Sequence, residues 1–327
     1  MTRKINNSYT LGQSNAPTDG GDMLKTRGDG TLVWEGVADT TFVPWAFGGT
    51  NYGYHSAGNN SAGYFNNIEK YSLSSDANAT DVGDVTASRG EPAGQSSTTD
   101  GYTSGGESNT TIIDKFSFSA DGNASDVGDL SVGRYGVAGH SSSTYGYTSG
   151  GAGSNVIDKF TFSADANATD VGNLTVARGQ TTGQSSSTYG YTTGGDSGFY
   201  DIIDKFSFSV DGNSTDVGNL TVAKRQSSGQ SSADYGYSSS GNTSGGLSNV
   251  IDKFSFSSDG NATDVGDLTQ NKRFATGSSS TTYGYASGGY TGSWSNVIEK
   301  FSFSSDGNAT DVGDITSSRG GAAGQQY

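Results

Sequence analysis

Residues 178–221, RGQTTGQSSSTYGYTTGGDSGFYDIIDKFSFSVDGNSTDVGNLT, contain four short runs with strand character that turn residues separate. No window repeats apolar residues at helical spacing, and glycine is spread through the whole stretch. Within IIDKFSFS, alternation places Ile202, Phe206 and Phe208 on one face and the following serines on the other. The four predicted strands span residues 178–186, 189–195, 202–209 and 215–221.

This stretch belongs to a unit that occurs six times from residue 52 to the C-terminus, with a period of about 46 residues. The repeats start near residues 52, 100, 145, 189, 235 and 283. Three positions carry the register: Tyr54, Tyr102, Tyr147, Tyr191, Tyr237 and Tyr285; Val82, Val127, Val171, Val217, Val265 and Val312; and Arg89, Arg134, Arg178, Arg225, Arg273 and Arg319. Six units of four antiparallel strands predict an all-β fold, a six-bladed β-propeller.

The order LTVAR, GQTTGQSS, YGYTTGG, variable loop and IIDKFSFS resembles the kelch repeat over residues 42–327. The second glycine of the doublet is present in every copy, whereas Ala57 and Ser240 replace the first glycine in two copies. The tryptophan of the kelch outer strand is absent, and the valine of Asp-Val-Gly stands in its place. The resemblance implies a kelch-like propeller, in which glycine permits a tight turn where blades crowd together.

The strand count leaves one surplus candidate for an innermost strand. Residues 42–49 (FVPWAFGG) and 319–326 (RGGAAGQQ) compete to complete the blade that contains Tyr54. The C-terminal candidate keeps the repeat consensus, whereas the N-terminal one lacks the arginine and contains Pro44. Because an open ring would expose unpaired strand edges, we expect residues 319–326 to close the ring. Residues 42–49 would then pack elsewhere, and they could engage a neighbouring subunit.

Composition and charge exclude several classes of protein. The chain has 33 acidic and 18 basic residues, a net charge of −15 and no cysteine. The acidity and the absence of a basic cluster argue against nucleic acid and anionic membranes as partners. Disulfides and thiolate chemistry are excluded, no apolar run approaches the roughly 18 residues of a membrane span, and the polar start MTRKINNSYT does not resemble a signal peptide.

Residues 1–41 precede the repeats and differ from them in sequence. Residues 22–35 predict a hairpin with Arg27-Gly28-Asp29-Gly30 as its turn, which also explains the Arg-Gly-Asp tripeptide. The segment GDMLKTRGDGTLVWEG is similar to segments of tail-fibre and other structural proteins of bacterial viruses, and the polar repeats are similar to marine phage fibre proteins. The resemblance implies a virion, extracellular location, attachment to other virion proteins through residues 1–41, a homo-oligomer, and a host surface glycan or protein as partner.

Recurrence in every repeat argues that most polar motifs are structural. The turn DGNASDVGD near Asp121 has an incomplete calcium-loop pattern, so hairpin geometry is favoured and weak calcium binding stays open. The acidic residues before lysine in each third strand should pair with Arg or Lys between blades: Glu69, Asp114, Asp158, Asp204, Asp252 and Glu299. The Asn-x-Ser/Thr sequons are explained by turn chemistry, and His55 and His140 lie in different repeats. We therefore predict no catalytic residues, metal or cofactor.

The loops after the double glycine vary, whereas the turns between the third and fourth strands hardly change. The variable loops should lie on one propeller face, where aromatic residues suit sugar or protein recognition, although they could simply cover blade ends. The candidate binding residues are Tyr64, Phe65, Phe199, Tyr200, Tyr290 and Trp294. The sequence thus favours a non-enzymatic virion protein, a tail-fibre or receptor-binding component. The alternatives are a self-assembling or decorating subunit without a specific receptor and, less favoured, a propeller-class enzyme.

Overall fold

The computed structural model describes residues 22–26, 32–36 and 49–327, and every regular element in these ranges is a β-strand. The chain divides into two compact units, residues 1–45 and 46–327. In the first unit, Asp22–Thr26 pairs antiparallel with Leu32–Gly36. The predicted turn at residues 27–30 lies outside the described residues, and the attachment role of residues 1–41 stays a prediction. No helix of the described residues is long and apolar enough to cross a membrane.

The second unit is the predicted six-bladed β-propeller, because six antiparallel sheets have innermost strands that contact one another in a closed circle. We number the blades along the chain from the one that contains Tyr52 and give strands from the innermost outward. Blades 1 to 3 contain Ala323–Gln326, Tyr52–Ser56, Asn67–Ser72 and Thr80–Asp84; Ala93–Ser96, Asp100–Ser104, Ile112–Ser117 and Ser125–Asp129; and Ala138–Ser141, Tyr145–Ser149, Val156–Thr161 and Thr169–Asn173. Blades 4 to 6 contain Thr182–Ser185, Tyr189–Thr193, Ile202–Ser207 and Thr215–Asn219; Ser228–Ser231, Tyr235–Thr243, Gly246–Ser255 and Thr263–Lys272; and Thr276–Ser279, Tyr283–Ser287, Val297–Ser302 and Thr310–Asp314.

Two short additions accompany the blades. Lys224–Arg225 pairs with the end of Tyr235–Thr243 in blade 5, and Asn59–Asn60 pairs with Gly63–Tyr64 in the loop of blade 1. The predicted run at residues 178–186 is shorter in the structure, because residues 178–181 form the connector between blades 3 and 4.

The ring closes within the chain, as the strand count predicted. Ala323–Gln326 pairs antiparallel with Tyr52–Ser56, with Gln325 opposite Tyr54. Gly49 forms a parallel bridge with Ser280, and residues 42–48 lie outside the described residues. The C-terminus therefore completes blade 1, and the first and last repeats share one sheet.

The hydrophobic core lies between blades rather than within one sheet. Tyr191 and Ile203 of blade 4 pack against Phe254 of blade 5, with the rings of Tyr191 and Phe254 5.4 Å apart. The first aromatic of each third-strand pair is buried; the second position is buried in blades 1 and 2 and half-buried in the other four. Ile203 is fully buried on the face opposite Phe206, because both faces of each middle strand meet another blade. The alternation of residues in the sequence had predicted only one apolar face for this strand, the face of Phe206 and Phe208.

Backbone contact between innermost strands explains the glycine in all six copies of this strand. A Cβ atom at Gly183 would overlap the carbonyl oxygen of Gly139, its neighbour in the preceding blade. The same overlap recurs around the ring at Gly94, Gly139, Gly229, Gly277 and Gly324. The lack of a side chain at these positions therefore lets the innermost strands of adjacent blades come into backbone contact.

Buried ion pairs join the blades, as predicted from the acidic residues of the third strands. Asp204 accepts hydrogen bonds from Arg178 in the connector, at 2.8 Å, and from the backbone of Thr175 at the end of blade 3, at 3.1 Å. Equivalent pairs are Arg89–Asp114, Arg134–Asp158, Lys224–Asp252, Lys272–Glu299 and Arg319–Glu69. Each carboxylate therefore binds both the connector that enters its blade and the end of the preceding blade.

The arginine register of the repeat needs a correction in blades 5 and 6. The buried cations there are Lys224 and Lys272, whereas the predicted equivalents Arg225 and Arg273 follow one position later and are half-buried. Either a lysine or an arginine can reach the buried carboxylate, so the sequence alone did not distinguish the two neighbours. Because of this shift, the guanidinium groups of Arg225 and Arg273 lie outside the core.

The aspartate-rich turns engage the neighbouring blade. Lys70 of blade 1 pairs with Asp121 in the turn of blade 2, and Asn123 Oδ1 accepts a 3.0 Å hydrogen bond from the backbone of Asp84. Both contacts recur at all six blade junctions. No group of three or more His, Asp or Glu residues within the described ranges could hold a metal ion. The repeated turn thus has a structural explanation in blade contacts.

Candidate binding face

Alternation of strand direction places the connectors between blades and the variable loops at the same end of the propeller, which we call the loop face. The third-to-fourth strand turns lie at the other end, the turn face. The loops span residues 57–66, 105–111, 150–155, 194–201, 240–249 and 288–296, and the connectors span 85–92, 130–137, 174–181, 220–227, 268–275 and 315–322. In blade 5 the loop includes the extended ends of Tyr235–Thr243 and Gly246–Ser255, and the connector that follows includes the end of Thr263–Lys272. Backbone hydrogen bonds join each loop to its connector, for example from Asp196 to the Gly179 carbonyl at 2.8 Å.

Of the predicted aromatic residues, only Tyr64 is strongly exposed, at 51%. Phe65 is half-buried, with its ring 5.0 Å from the guanidinium of Arg319. Phe199 is half-buried below Arg225, at 4.9 Å, and the adjacent Tyr200 is also half-buried. Five of the six candidates are therefore half-buried, and Phe65 and Phe199 pack against connector arginines.

The structure brings Tyr290 and Trp294 of the blade 6 loop together, with their rings 5.3 Å apart. Phe274, in the preceding connector, stacks on Trp294 at 6.4 Å. The guanidinium of Arg273 lies 5.2 Å from the rings of both Tyr290 and Phe274. These four residues form one cluster, which we call the blade 6 cluster, whereas the other aromatic candidates lie in blades 1 and 4.

A circle of connector residues forms the inner part of the loop face. Each adopts a left-handed conformation, and most donate a backbone hydrogen bond to the equivalent residue of the preceding blade, as Phe274 does to Gln226 at 2.8 Å. The circle consists of Glu91, Gly136, Gln180, Gln226, Phe274 and Gly321. This circle was not predicted from the sequence. Each member lies two positions after the buried arginine or lysine of its connector, and that spacing could have indicated it.

Glu91 is the one carboxylic acid among the six residues of this circle. Its carboxylate accepts a hydrogen bond from the Gln180 side chain. Burial raises the pKa of Glu91 to about 7, and the negative charges of Glu107 and Asp196 add to the increase. Glu91 therefore changes charge near neutral pH.

The acidic side of the loop face contains acceptors that have no hydrogen-bond donor among the described residues. They are Asn59 Oδ1 and Glu107 Oε2, both buried. The carboxylate of Glu107 already interacts with the exposed Tyr64 phenol, and this interaction is the main cause that raises the pKa of that phenol.

The two histidines belong to the packing between blades. His140 Nδ1 donates to the Gln184 carbonyl at 3.1 Å, and Nε2 accepts from the Ser149 hydroxyl at 2.8 Å. Burial lowers the pKa of His140 to about 4 and holds the pKa of His55 well below its usual value. Because both imidazoles are buried and neutral, neither is presented as a base on the loop face.

Comparisons with known proteins leave the function to be argued from this geometry. No protein-family model matches the chain, and no curated protein is significantly similar to it.

Proposed function

We propose that the protein is a non-enzymatic recognition component of a virion, a tail-fibre or receptor-binding protein whose loop face contacts the host surface. One observation carries this proposal: departures from the six-fold repeat are concentrated on the loop face. The turn face repeats nearly the same sequence six times and uses it to join blades. A rigid scaffold with one constant and one variable face suits recognition.

The wider setting of the proposal comes from the sequence resemblance to fibre proteins. Residues 1–41 would attach the propeller to other virion proteins, and a host surface glycan or protein would be the partner. A homo-oligomer and an extracellular location belong to the same proposal. A self-assembling subunit without a receptor is the competing outcome of the experiment below.

Adhesion of the full-length chain to a panel of marine bacteria tests the proposal. Tyr64→Ala combined with Trp294→Ala should reduce adhesion strongly and lower the melting temperature only slightly, because Tyr64 is exposed and Trp294 packs against loop-face aromatics outside the core between blades. Val210→Ala is the matched control, since Val210 is 69% exposed in a turn-face turn. Filaments or large oligomers without adhesion, measured by light scattering and microscopy, would favour the structural subunit instead.

A further inference from the structure

Two arginines on the loop face form no ion pair with an acidic residue within the described part of the chain. Residues 49–327 contain fourteen Lys and Arg side chains, and twelve of them form ion pairs with Asp or Glu. Within that range the remaining two are Arg225 and Arg273, which occupy equivalent positions in the connectors that enter blades 5 and 6. In a chain of net charge −15, two unpaired guanidinium groups on adjacent blades require an explanation.

The fold itself does not require arginine at this position. The equivalent residues are Gly90, Gly179 and Gly320 in three other connectors. The buried charge that the blade needs is supplied by the preceding residue, as Lys272 does for Glu299. The repeats thus provide an internal comparison, in which the structural role is complete without Arg225 and Arg273.

Both guanidinium groups are held on aromatic rings and keep hydrogen-bond donors unused. Arg225 lies over Phe199, and Arg273 lies between Phe274 and Tyr290. The Nε atoms of both arginines are buried without a hydrogen-bond partner among the described residues, and Arg273 Nη1 makes a long 3.4 Å hydrogen bond to Gln226. Stacking fixes the plane of a guanidinium, and its terminal nitrogens, rather than the buried Nε, would donate to a carboxylate or sulfate.

Charge on the rest of the loop face limits the kind of anion that can bind. Glu107 and Asp196 lie in the loops of blades 2 and 4; in the connector circle, burial raises the pKa of Glu91 and the positive charge of Arg273 opposes that rise. A densely charged polyanion would therefore be repelled by these carboxylates. The loop carboxylates and the exposed Tyr64 phenol instead offer hydrogen-bond partners for hydroxyl groups. A ligand that combines a few anionic groups with many hydroxyls satisfies both sides.

We infer that Arg225 and Arg273 bind the anionic groups of an acidic saccharide, a polymer of sugars that carry carboxylates or sulfate esters. This inference deepens the proposed function and rests on it, because it names the charge class of the ligand on the loop face. The two guanidinium groups lie on adjacent blades, so anionic groups on different sugars of one chain can engage them separately. The blade 6 cluster contributes Trp294 and Tyr290 as apolar surface beside the sugar.

Calorimetric titration of the full chain tests the inference with three hexasaccharides: oligogalacturonate, its fully methyl-esterified form, and a sulfated galactan oligosaccharide. We expect the wild type to bind at least one anionic probe, with an affinity that falls as salt is added, and to bind the neutral ester at least about tenfold more weakly. The preferred probe then distinguishes a carboxylate from a sulfate ligand. Absence of saturable binding to both anionic probes, or equal binding of the neutral ester, would overturn the inference.

Variants assign the binding to the arginines. R225Q combined with R273Q should lower the affinity for the anionic probe by at least about tenfold. The melting temperature should stay unchanged, because three other connectors have glycine at this position. The control K159Q removes a positive charge from the turn-face ion pair with Asp211 and should leave binding unchanged. Equal losses in K159Q and the double variant would show a general charge effect and overturn the inference.

The adhesion assay separates this inference from the proposed function. If the Tyr64 and Trp294 variant loses adhesion while the double arginine variant keeps it, the recognition function stands and the anionic ligand is wrong. If the wild type adheres to no cell yet binds the acidic hexasaccharide through the two arginines, the ligand class stands and the host-contact function fails.

Discussion

Arg319, in the last connector of the chain, donates a 2.6 Å hydrogen bond to the carboxylate of Glu69 in blade 1, 250 positions away in sequence. Both side chains are fully buried. Glu69 also accepts a 2.9 Å hydrogen bond from the backbone of Thr316, which follows the last strand of blade 6. One carboxylate thus joins the two ends of the propeller, by the same contacts that join every other pair of blades.

Removal of residues 323–327 should prevent formation of a folded monomer. The deletion takes away the innermost strand of blade 1 and leaves Tyr52–Ser56 with an unpaired edge. Circular dichroism and size-exclusion chromatography provide the measurement, and a synthetic peptide of residues 319–327 added in trans should restore folding. A truncated chain that is monomeric and melts at the wild-type temperature would contradict intrachain closure, and loss of assembly alone would indicate donation of the strand to a neighbour.

Phe206→Ala should lower the free energy of unfolding by about 3–5 kcal/mol, as expected for truncation of a buried aromatic ring. Phe206 packs between blades 3 and 4, with its ring 5.5 Å from Tyr147. Phe208→Ala is the comparison, because Phe208 is only half-buried and should cost less. Urea denaturation measures both variants, and equal costs would contradict the burial pattern.

Gly183→Ala should cost at least about 2 kcal/mol or prevent folding, since the added methyl group overlaps the backbone of Gly139. Gly212→Ala is the matched control on the turn face, where a Cβ atom meets nothing within 4 Å. Ala77 and Ala166 occupy the equivalent turn position in blades 1 and 3. Thermal denaturation of the two variants measures the difference, and similar melting temperatures would refute the close approach of the inner strands.

His140→Gln should protect the protein against mild acid. The folded pKa of about 4 lies below the unfolded value of about 6.5, so stability is lost as the pH falls from 6.5 towards 4. Relative to the wild type, the variant should gain on the order of 2 kcal/mol between pH 7.5 and pH 5. Gln95 and Gln184 occupy the same position in neighbouring blades, so glutamine should fit. Urea unfolding at both pH values measures the gain; an equal difference at the two values would show that His140 titrates normally.

Glu91→Gln should stabilise the protein as the pH rises, whereas His140→Gln should stabilise it as the pH falls. Because the folded pKa of Glu91 is raised to about 7, the wild type keeps its full stability only below the usual carboxylate pKa and loses stability as the pH rises through 7. The variant should therefore gain on the order of 2 kcal/mol over the wild type between pH 5 and pH 8. Paired denaturation curves provide the measurement, and a gain that does not change with pH would show that Glu91 is already ionised in the folded state.

The repeat made much of the fold predictable. The six aligned copies predicted the four strands, the number of blades and the ion pairs between blades. A contact that recurs in every blade requires the same residue types at the same spacing in every repeat. The closing strand was also predictable, since residues 319–326 keep the consensus that residues 42–49 lack. The aromatic candidates could be placed on one face from strand direction alone, although the half-burial of Phe199 and Trp294 could not be foreseen.

What the sequence by itself determined was therefore the content of one blade and the number of blades. Only the tertiary structure decided which neighbour of each pair is buried, Lys272 inside and Arg273 on the loop face, because that depends on the carboxylate of the adjoining strand and not on the order of the two cations. It also placed the guanidinium groups of Arg225 and Arg273 on the aromatic rings of Phe199, Phe274 and Tyr290. Contacts such as that between Arg273 and Tyr290 join residues from different repeats, and their distances follow from closure of the ring, which no single repeat specifies.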